Sequence, residues 1–293
     1  MRSIGPQPAK VRPVALHAVG DPFLVVKIGG SLFSDKAGDE RHFDDDAVAG
    51  YARLVAELGA AKPGRVALIV GGGAYGHGAG RALDPSDPLS GVLLTEANFT
   101  LKWRWTQALR AEGARAVPLQ LEAMCAIGAD GLLVEGEVLR RFLRIGALPV
   151  LSGDSLLGPN GSMVVYSSDL VPEVLMAACS GPIRIVNLTD VPGILVDGRD
   201  GHTVLRHVDP DEPDEAYGAL WESPPWDISR SMHGKLDALV EFARGGADCF
   251  IMKGDARAAS ARFMLDPVEG WPPDVAYTRI VRSEVRQLAA ARG

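Results

Sequence analysis

Two glycine-rich loops, each placed directly after a short apolar run, are the clearest chemical feature of the sequence. Gly29-Gly30-Ser31 follows an apolar run that ends in Lys27-Ile28. Gly71-Gly72-Gly73-Ala74 follows the run from Val66 to Val70. Glycine lets the backbone approach a phosphate closely, and successive free N–H groups form a nest that binds anions. One such loop is common in α/β proteins, whereas two in one chain indicate a site for a phosphorylated ligand.

Three lysines and one histidine could neutralise the charge of such a ligand. Lys27 ends an apolar strand, where burying an ammonium group is costly unless it meets an anion. Lys235 lies near the start of a predicted helix, where a cation opposes the helix dipole and suggests a bound anion. Lys36 and His77 lie in predicted loops beside the glycines. For each of them a solvated side chain is the alternative that the residues alone leave open.

The acidic residues at the predicted turns could balance these cations. Asp154, Asp169, Asp190 and Asp227 lie at turns or helix starts, where most aspartates are N-caps. If the lysines converge on one site, at least one of these carboxylates must lie among them. Neither glycine loop matches the P-loop pattern, and the acidic residue expected of a dinucleotide site is missing after the second loop.

Strands alternate with helices along the chain, which predicts an α/β fold with a mostly parallel sheet covered on both faces. Ligands bind such sheets just past the carboxyl ends of the strands, where the turns at residues 29, 71, 152 and 189 lie. The apolar patterns predict strands at 23–26, 66–70, 148–151, 183–188 and 248–252, and helices from about 44, at 94–112, 137–145, 169–179 and 230–244.

The composition excludes several classes of protein. With 293 residues and 47% hydrophobic residues, the chain can bury the core of an α/β domain. A net charge of −7 argues against a nucleic-acid partner. No apolar run reaches the ~20 residues of a membrane span, and residues 1–20 lack a signal-peptide core and predict a flexible leader. The three cysteines show no metal-ligand spacing, which indicates reduced thiols in a cytoplasmic protein.

Five motifs together resemble the amino-acid-kinase family, over about residues 22 to 280. Non-catalytic stretches such as Leu94-Thr95-Glu96-Ala97 contribute to the similarity. Within the family the sequence is most similar to the fosfomycin kinases and is related to the isopentenyl phosphate kinases. The motifs are Lys27-Ile28-Gly29-Gly30-Ser31, Gly71-Gly72-Gly73-Ala74-Tyr75-Gly76-His77, Ser152-Gly153-Asp154, Thr189-Asp190-Val191-Pro192-Gly193 and Asp227-Ile228-Ser229-Arg230-Ser231-Met232-His233-Gly234-Lys235.

The resemblance implies a three-layer α/β/α sandwich formed by one domain over residues 21–293. Its N-lobe, about 21–180, would hold the acceptor, and its C-lobe, about 181–285, would hold MgATP. Members of this family often form homodimers through N-lobe helices, so a homodimer is expected here. The resemblance implies no protein ligand for Mg²⁺, which would be held by the ATP phosphates and water.

The resemblance also implies roles for individual residues. Lys27 and Lys235 would stabilise charge on the transferring phosphoryl group, and Asp169 would orient both lysines. The implied acceptor-binding residues are Lys36, Gly72, Gly73, Ala74, His77, Ser167, Ser168, Ser229 and Arg230. The implied nucleotide-binding residues are Lys27, Gly29, Gly30, Ser31, Thr189, Asp190, Val191, Gly193 and Lys235.

The reaction implied is phosphorylation of the phosphonate group of fosfomycin or a close phosphonate, giving a phosphonate–phosphate anhydride and ADP and hence self-resistance. A phosphonate oxygen is already ionised near pH 7, so His77 would position the acceptor without deprotonating it. Ser229-Arg230 replaces the Thr-Gly of the family, which leaves the acceptor open. A kinase for isopentenyl phosphate or a similar small phosphate or phosphonate is the alternative, although the bulky residues from Lys102 to Trp105 are predicted to obstruct its hydrocarbon tunnel. A non-catalytic binding protein is a third interpretation, against which the full set of lysines argues.

Overall fold

A computed structural model describes residues 21–34, 42–84, 86–198, 200–220 and 231–282 of the chain, without the side chain of Ser231. The predicted leader 1–20 lies outside the described residues, as do three of the predicted acceptor-binding residues, Lys36, Ser229 and Arg230.

The described strands build one large sheet and two small ones. In chain order they are β1 (Phe23–Ile28), β2 (Val66–Val70), β3 (Ala116–Pro118), β4 (Cys125–Gly128), β5 (Gly131–Val134), β6 (Leu148–Ser152), β7 (Asp154–Leu157), β8 (Met163–Tyr166), β9 (Ile183–Thr189), β10 (His207–Val208), β11 (Asp248–Lys253) and β12 (Tyr277–Ile280). The large sheet has the order β10-β12-β11-β9-β1-β2-β6-β3, and β4–β5 and β7–β8 form separate antiparallel pairs.

The large sheet is mostly parallel. Strand β1 lies between β2 and β9 and pairs in parallel with both. The other strands continue this direction out to β3 and β11, and only the β11–β12 pairing is antiparallel. The predicted α/β architecture is therefore confirmed, and the carboxyl ends of β1, β2, β6, β9 and β11 share one edge of the sheet.

Helices cover both faces of this sheet, which gives three layers. One face packs against α1 and α3, and the other packs against α4, α5 and α7. All six residues of β1 are buried, as expected for a central parallel strand. The helices are α1 (Asp45–Ala61), α2 (Gly73–Arg81), α3 (Val92–Ala111), α4 (Glu137–Arg144), α5 (Pro172–Ala178), α6 (Asp214–Gly218) and α7 (Ser231–Arg244).

Two local differences from the sequence prediction affect the site. Helix α5 begins at Pro172 and not at residue 169, because the fixed φ and missing N–H of proline suit the first helical position. Asp169 therefore lies in the turn before the helix, close to the end of β1. His77 lies in the second turn of α2 and not in a loop.

No helix in the described ranges is both long and apolar enough to cross a bilayer.

Candidate active site

The two glycine loops pack backbone against backbone at the carboxyl ends of β1 and β2. A Cβ added to Gly30 would lie 2.5 Å from the backbone nitrogen of Gly73, and a Cβ added to Gly71 would lie 2.6 Å from that of Gly30. Gly73 also has a φ of +53°, which side chains rarely adopt. Only glycine allows this close approach, so the two loops pack tightly against each other at this edge of the sheet.

Two lysines and one aspartate meet beside these loops. Lys27 Nζ lies 2.5 Å from Asp169 Oδ1, and Lys235 Nζ lies 3.6 Å from Asp169 Oδ2. The side chains of Lys27 and Asp169 are 3% and 6% exposed, so little water screens this pair. Burial disfavours the charged carboxylate, yet Lys235 and Lys27 hold the pKa of Asp169 well below its usual range. We call Lys27, Asp169 and Lys235 the ion triad.

The ion triad carries one more positive than negative charge at neutral pH. Lys27 contributes to this charge near the end of β1, a strand of otherwise apolar residues in which it is only 2% exposed. A buried group of charges with a net positive charge attracts a further anion, because the effective dielectric there is low. The triad is therefore suited to an anionic ligand at the glycine loops.

A cavity of about 250 Å³ opens beside the ion triad. It brings together the predicted residues Lys27, Gly30, Gly72, Gly73, His77, Ser167, Ser168, Asp169 and Lys235. The sequence did not predict part of its wall, formed by Leu83, Leu94, Asn98, Val165 and Tyr166. For Leu94 and Asn98 a signal existed, since their spacing of four places them on one face of a predicted helix.

Of the predicted binding residues beside the glycine loops, Gly29, Ser31 and Ala74 do not line this cavity. The N–H of Ala74 donates to Ser34 Oγ at 2.7 Å, so this amide already has a partner. Ser34 in turn donates to the carbonyl of His42 at 3.0 Å, which ties the second glycine loop to the chain after β1. Ser31 is exposed on a short 3₁₀ helix (Gly30–Leu32).

The predicted nucleotide-side residues form a tight turn after β9. Thr189 is buried, and its hydroxyl donates to the carbonyl of Val191 at 3.0 Å and accepts from the Val191 N–H at 3.2 Å. Asp190 is exposed at the tip of this turn. Gly193 has a φ of +154°, and a Cβ there would lie 2.6 Å from Val204. The turn is thus held by its own hydrogen bonds.

A second cavity, of about 590 Å³, lies on the β9–β11 side of the sheet. Its wall includes Leu188, Pro192, Met252 and Gly254. The cavity adjoins the turn after β9, because the Gly254 N–H donates to Thr189 O at 2.8 Å. It also adjoins β1, because the Gly29 N–H donates to Leu188 O at 2.9 Å. The wall of the larger cavity also includes Val26 of β1 and Tyr51 of α1.

A second group of charges lies at the wall of the smaller cavity, where Asp154 is one of the lining residues. Lys102 and Asp154 are both fully buried, with Lys102 Nζ 3.6 Å from Asp154 Oδ2 and donating to Leu119 O at 3.0 Å. Thr95 donates to Asp154 Oδ1 at 2.8 Å. Burial, and then a hydrogen bond shared with Glu122, raise the pKa of Asp154 to about 6, although Lys102 opposes this. We call Lys102, Asp154 and Glu122 the buried ion group.

The position of Lys102 bears on one prediction. Residues Lys102 to Trp105 are predicted to obstruct any hydrocarbon tunnel lined by this helix. In the structure Leu94 and Asn98 line the cavity, while Lys102 and Trp105 are fully buried and Trp103 is exposed. The obstruction by these residues stays a prediction.

No group of three or more histidine, cysteine, aspartate or glutamate side chains that could hold a metal ion occurs within the described ranges. The carboxylate of Asp169 is engaged by two lysines.

Comparison with known proteins agrees with this geometry. The family model described as "Amino acid kinase family" matches residues 22–253. The isopentenyl phosphate kinase of Methanothermobacter thermautotrophicus is 25% identical over 257 residues, covering 83% of this chain and 95% of that protein.

Two solved structures share the fold at low identity. A crystal structure of an isopentenyl phosphate kinase substrate complex aligns with a TM-score of 0.65 at 19% identity, covering 88% of this chain and 99% of that chain. Carbamate kinase from Giardia lamblia bound to AMP-PNP aligns with a TM-score of 0.57 at 17% identity, covering 90% and 99%.

Proposed function

The chain belongs to the amino acid kinase family, and on that premise we propose that it transfers the γ-phosphoryl group of ATP to the phosphate or phosphonate group of a small acceptor. The family and its relatives make it a small-molecule phosphotransferase. The observation that carries the proposal is the ion triad at the rim of a cavity walled by two glycine loops.

Charge neutralisation is the main chemical demand of this reaction. Phosphoryl transfer proceeds with little covalent help from the protein, and catalysis comes from positioning and electrostatic stabilisation. Donor and acceptor are both anionic here, so their repulsion must be offset where they meet. Lys27 and Lys235 supply that charge, and Asp169 fixes both ammonium groups in place. His77 and the amides of Gly72 and Gly73 would hold the acceptor, whose ionised oxygen needs no general base.

The nucleotide would lie on the β9–β11 side of Gly29. The turn after β9 and the adjoining larger cavity are the features that support this placement. Because Asp169 is ion-paired with two lysines, Mg²⁺ would be carried by the ATP phosphates. When bound, Mg²⁺ neutralises charge on the transferring group. The free thiols of Cys125, Cys179 and Cys249 are consistent with a cytoplasmic site of action.

Two acceptors are candidates. Isopentenyl phosphate is supported by the relatives, whose names specify it. Fosfomycin is supported by the sequence motifs and by the small volume of the cavity, about 250 Å³, which is at the lower end for ligand pockets. Both place an ionised oxygen on phosphorus at the ion triad, so the reaction class is the same for either acceptor.

We expect purified full-length protein with MgATP to release ADP when isopentenyl phosphate or fosfomycin is added. A coupled ADP-release assay, followed by ³¹P NMR of the product, would show a new phosphoanhydride signal. Carbamate is the control acceptor, since it has no phosphorus and would not span the ion triad and His77 in the same way. The proposal would be contradicted if carbamate were the only one of the three compounds to cause ADP release, or if none of them caused it.

We also propose that the protein forms a homodimer through the outer face of α3. This face exposes large apolar side chains, with Val92 at 52%, Phe99 at 44% and Trp103 at 43%. A contiguous apolar surface is typical of an interface. We expect light scattering after gel filtration to give twice the chain mass, and Phe99→Glu with Trp103→Glu to give the monomer. A monomeric wild type, or a double variant that stays dimeric, would refute this interface.

A further inference from the structure

One wall residue of the smaller cavity is a buried amide without a partner. Asn98 is 2% exposed, and its Oδ1 has no hydrogen-bond partner in the part of the chain that the structure describes. It lies one helical turn after Leu94, and both residues line the cavity. A Cβ added to Gly76 would lie 3.1 Å from Asn98 Oδ1, so the amide rests against the start of α2.

The neighbouring polar residues of α3 already have partners. Thr95 donates to Asp154, and Lys102 donates to Leu119 O. Thr95 and Lys102 do not line the cavity, so Asn98 is the polar residue of α3 in its wall. The carbonyl oxygen of Asn98 makes no hydrogen bond within the described residues, so an apolar side chain of the same shape would lose no hydrogen bond of that atom.

We infer that Asn98 determines acceptor specificity by hydrogen-bonding an oxygen atom in the organic part of the acceptor. This inference rests on the proposed transfer to a small phosphate or phosphonate. A buried amide that faces a hydrocarbon loses the hydrogen bonds it makes with water. A site built to bond a polar atom discriminates strongly against an analogue without it.

The chemical class of the acceptor follows from the two ends of the cavity. The cationic end binds the phosphate or phosphonate, and the Asn98 end matches an oxygen substituent a few bonds away. An amide both donates and accepts, and its oxygen and nitrogen ends are interchangeable by rotation. A hydroxyl, epoxide or ether oxygen therefore fits, whereas a purely hydrocarbon tail leaves the amide unpaired.

The test uses two acceptors of the same length, n-butyl phosphate and 3-hydroxypropyl phosphate, which differ by a terminal methyl against a hydroxyl. We expect wild-type kcat/KM to be at least about tenfold higher for 3-hydroxypropyl phosphate. Asn98→Leu, which keeps the side-chain shape, should bring the ratio to about one or reverse it. The same variant should shift the preference between fosfomycin and isopentenyl phosphate toward isopentenyl phosphate.

Two further measurements separate specificity from structure. The melting temperature of Asn98→Leu should equal or exceed that of the wild type, whereas a structural role for Asn98 predicts a decrease; Asn98→Ala serves as a second variant if leucine packs poorly. Titration calorimetry with a non-hydrolysable ATP analogue should show the same preference in binding. If the wild type turns over n-butyl phosphate as well as the hydroxyl compound, or if the ratio survives in both variants, the inference is overturned while the kinase proposal stands. If it neither binds nor phosphorylates any phosphorylated acceptor, the proposed function itself fails.

Discussion

Replacing Lys27 with alanine is expected to lower kcat/KM by about 10³-fold, comparable to the loss of a preorganised donor in other active sites. The substitution removes the more buried of the two cations of the ion triad, and the remaining pair of Lys235 and Asp169 is neutral. The transferring group would then meet no excess positive charge at the end of β1. Steady-state kinetics with MgATP and the best acceptor measure this loss.

A second variant separates this loss of charge from loss of folding. Lys27→Ala leaves Asp169 with only Lys235 at 3.6 Å, and a buried carboxylate without close partners is destabilising. The double variant Lys27→Met with Asp169→Asn removes that carboxylate, so its melting temperature should recover. Its activity should stay low, because the remaining charge on Lys235 is no longer fixed at the end of β1 by Asp169. Lys62→Ala, which removes a lysine paired with Asp21 at the surface, is the matched control and should retain wild-type kinetics. Activity of Lys27→Ala within threefold of the wild type would refute the role given to the ion triad.

The sequence predicts the parts of the site that follow from strand ends. Lys27, the two glycine loops and Thr189 all lie directly after long apolar strands, and such strands are strongly patterned. Because parallel strands end at one edge of a sheet, their final residues must meet. This is why the residues from β1, β2 and β9 lie together in the structure. The short strands β3, β10 and β12, at or next to the edges of the sheet, carry too few residues for a pattern and are not predicted.

The part of the smaller cavity's wall that α3 forms depends on tertiary packing, which the sequence pattern does not show. Asn98 and Lys102 lie on a helix whose apolar residues already satisfied the expected periodicity, so the direction of each polar side chain could not be read. Lys102 is fully buried because Asp154, a residue of the cavity wall, provides a partner for its ammonium group. Such a long-range pairing between α3 and β7 becomes visible only in three dimensions.

Removing the cation of the buried ion group is expected to give the largest loss of stability. Lys102→Met would leave the buried Asp154 and the half-buried Glu122 without this positive charge. Breaking a buried pair in this way costs about 3–5 kcal/mol. Urea unfolding followed by circular dichroism would show this as a lower midpoint with an unchanged slope. Arg110→Met, at an exposed position near the end of the same helix, is the matched control and should stay within about 0.5 kcal/mol of the wild type.

The pH dependence of this loss follows from the protonation of Asp154. Its pKa is raised from 3.8 to about 6 in the folded protein, so the folded state binds more protons than the unfolded state between these values. The contribution of Asp154 to stability is therefore fully present below about pH 4 and is lost as the pH rises through about 6. Above pH 6 both carboxylates tend to ionise, and Lys102 offsets their charge.

The destabilisation by Lys102→Met should consequently be larger at pH 8 than at pH 5, and adding Asp154→Asn should remove most of that difference. A Lys102→Met variant within about 1 kcal/mol of the wild type at pH 8 would show that the buried ion group does not depend on this lysine.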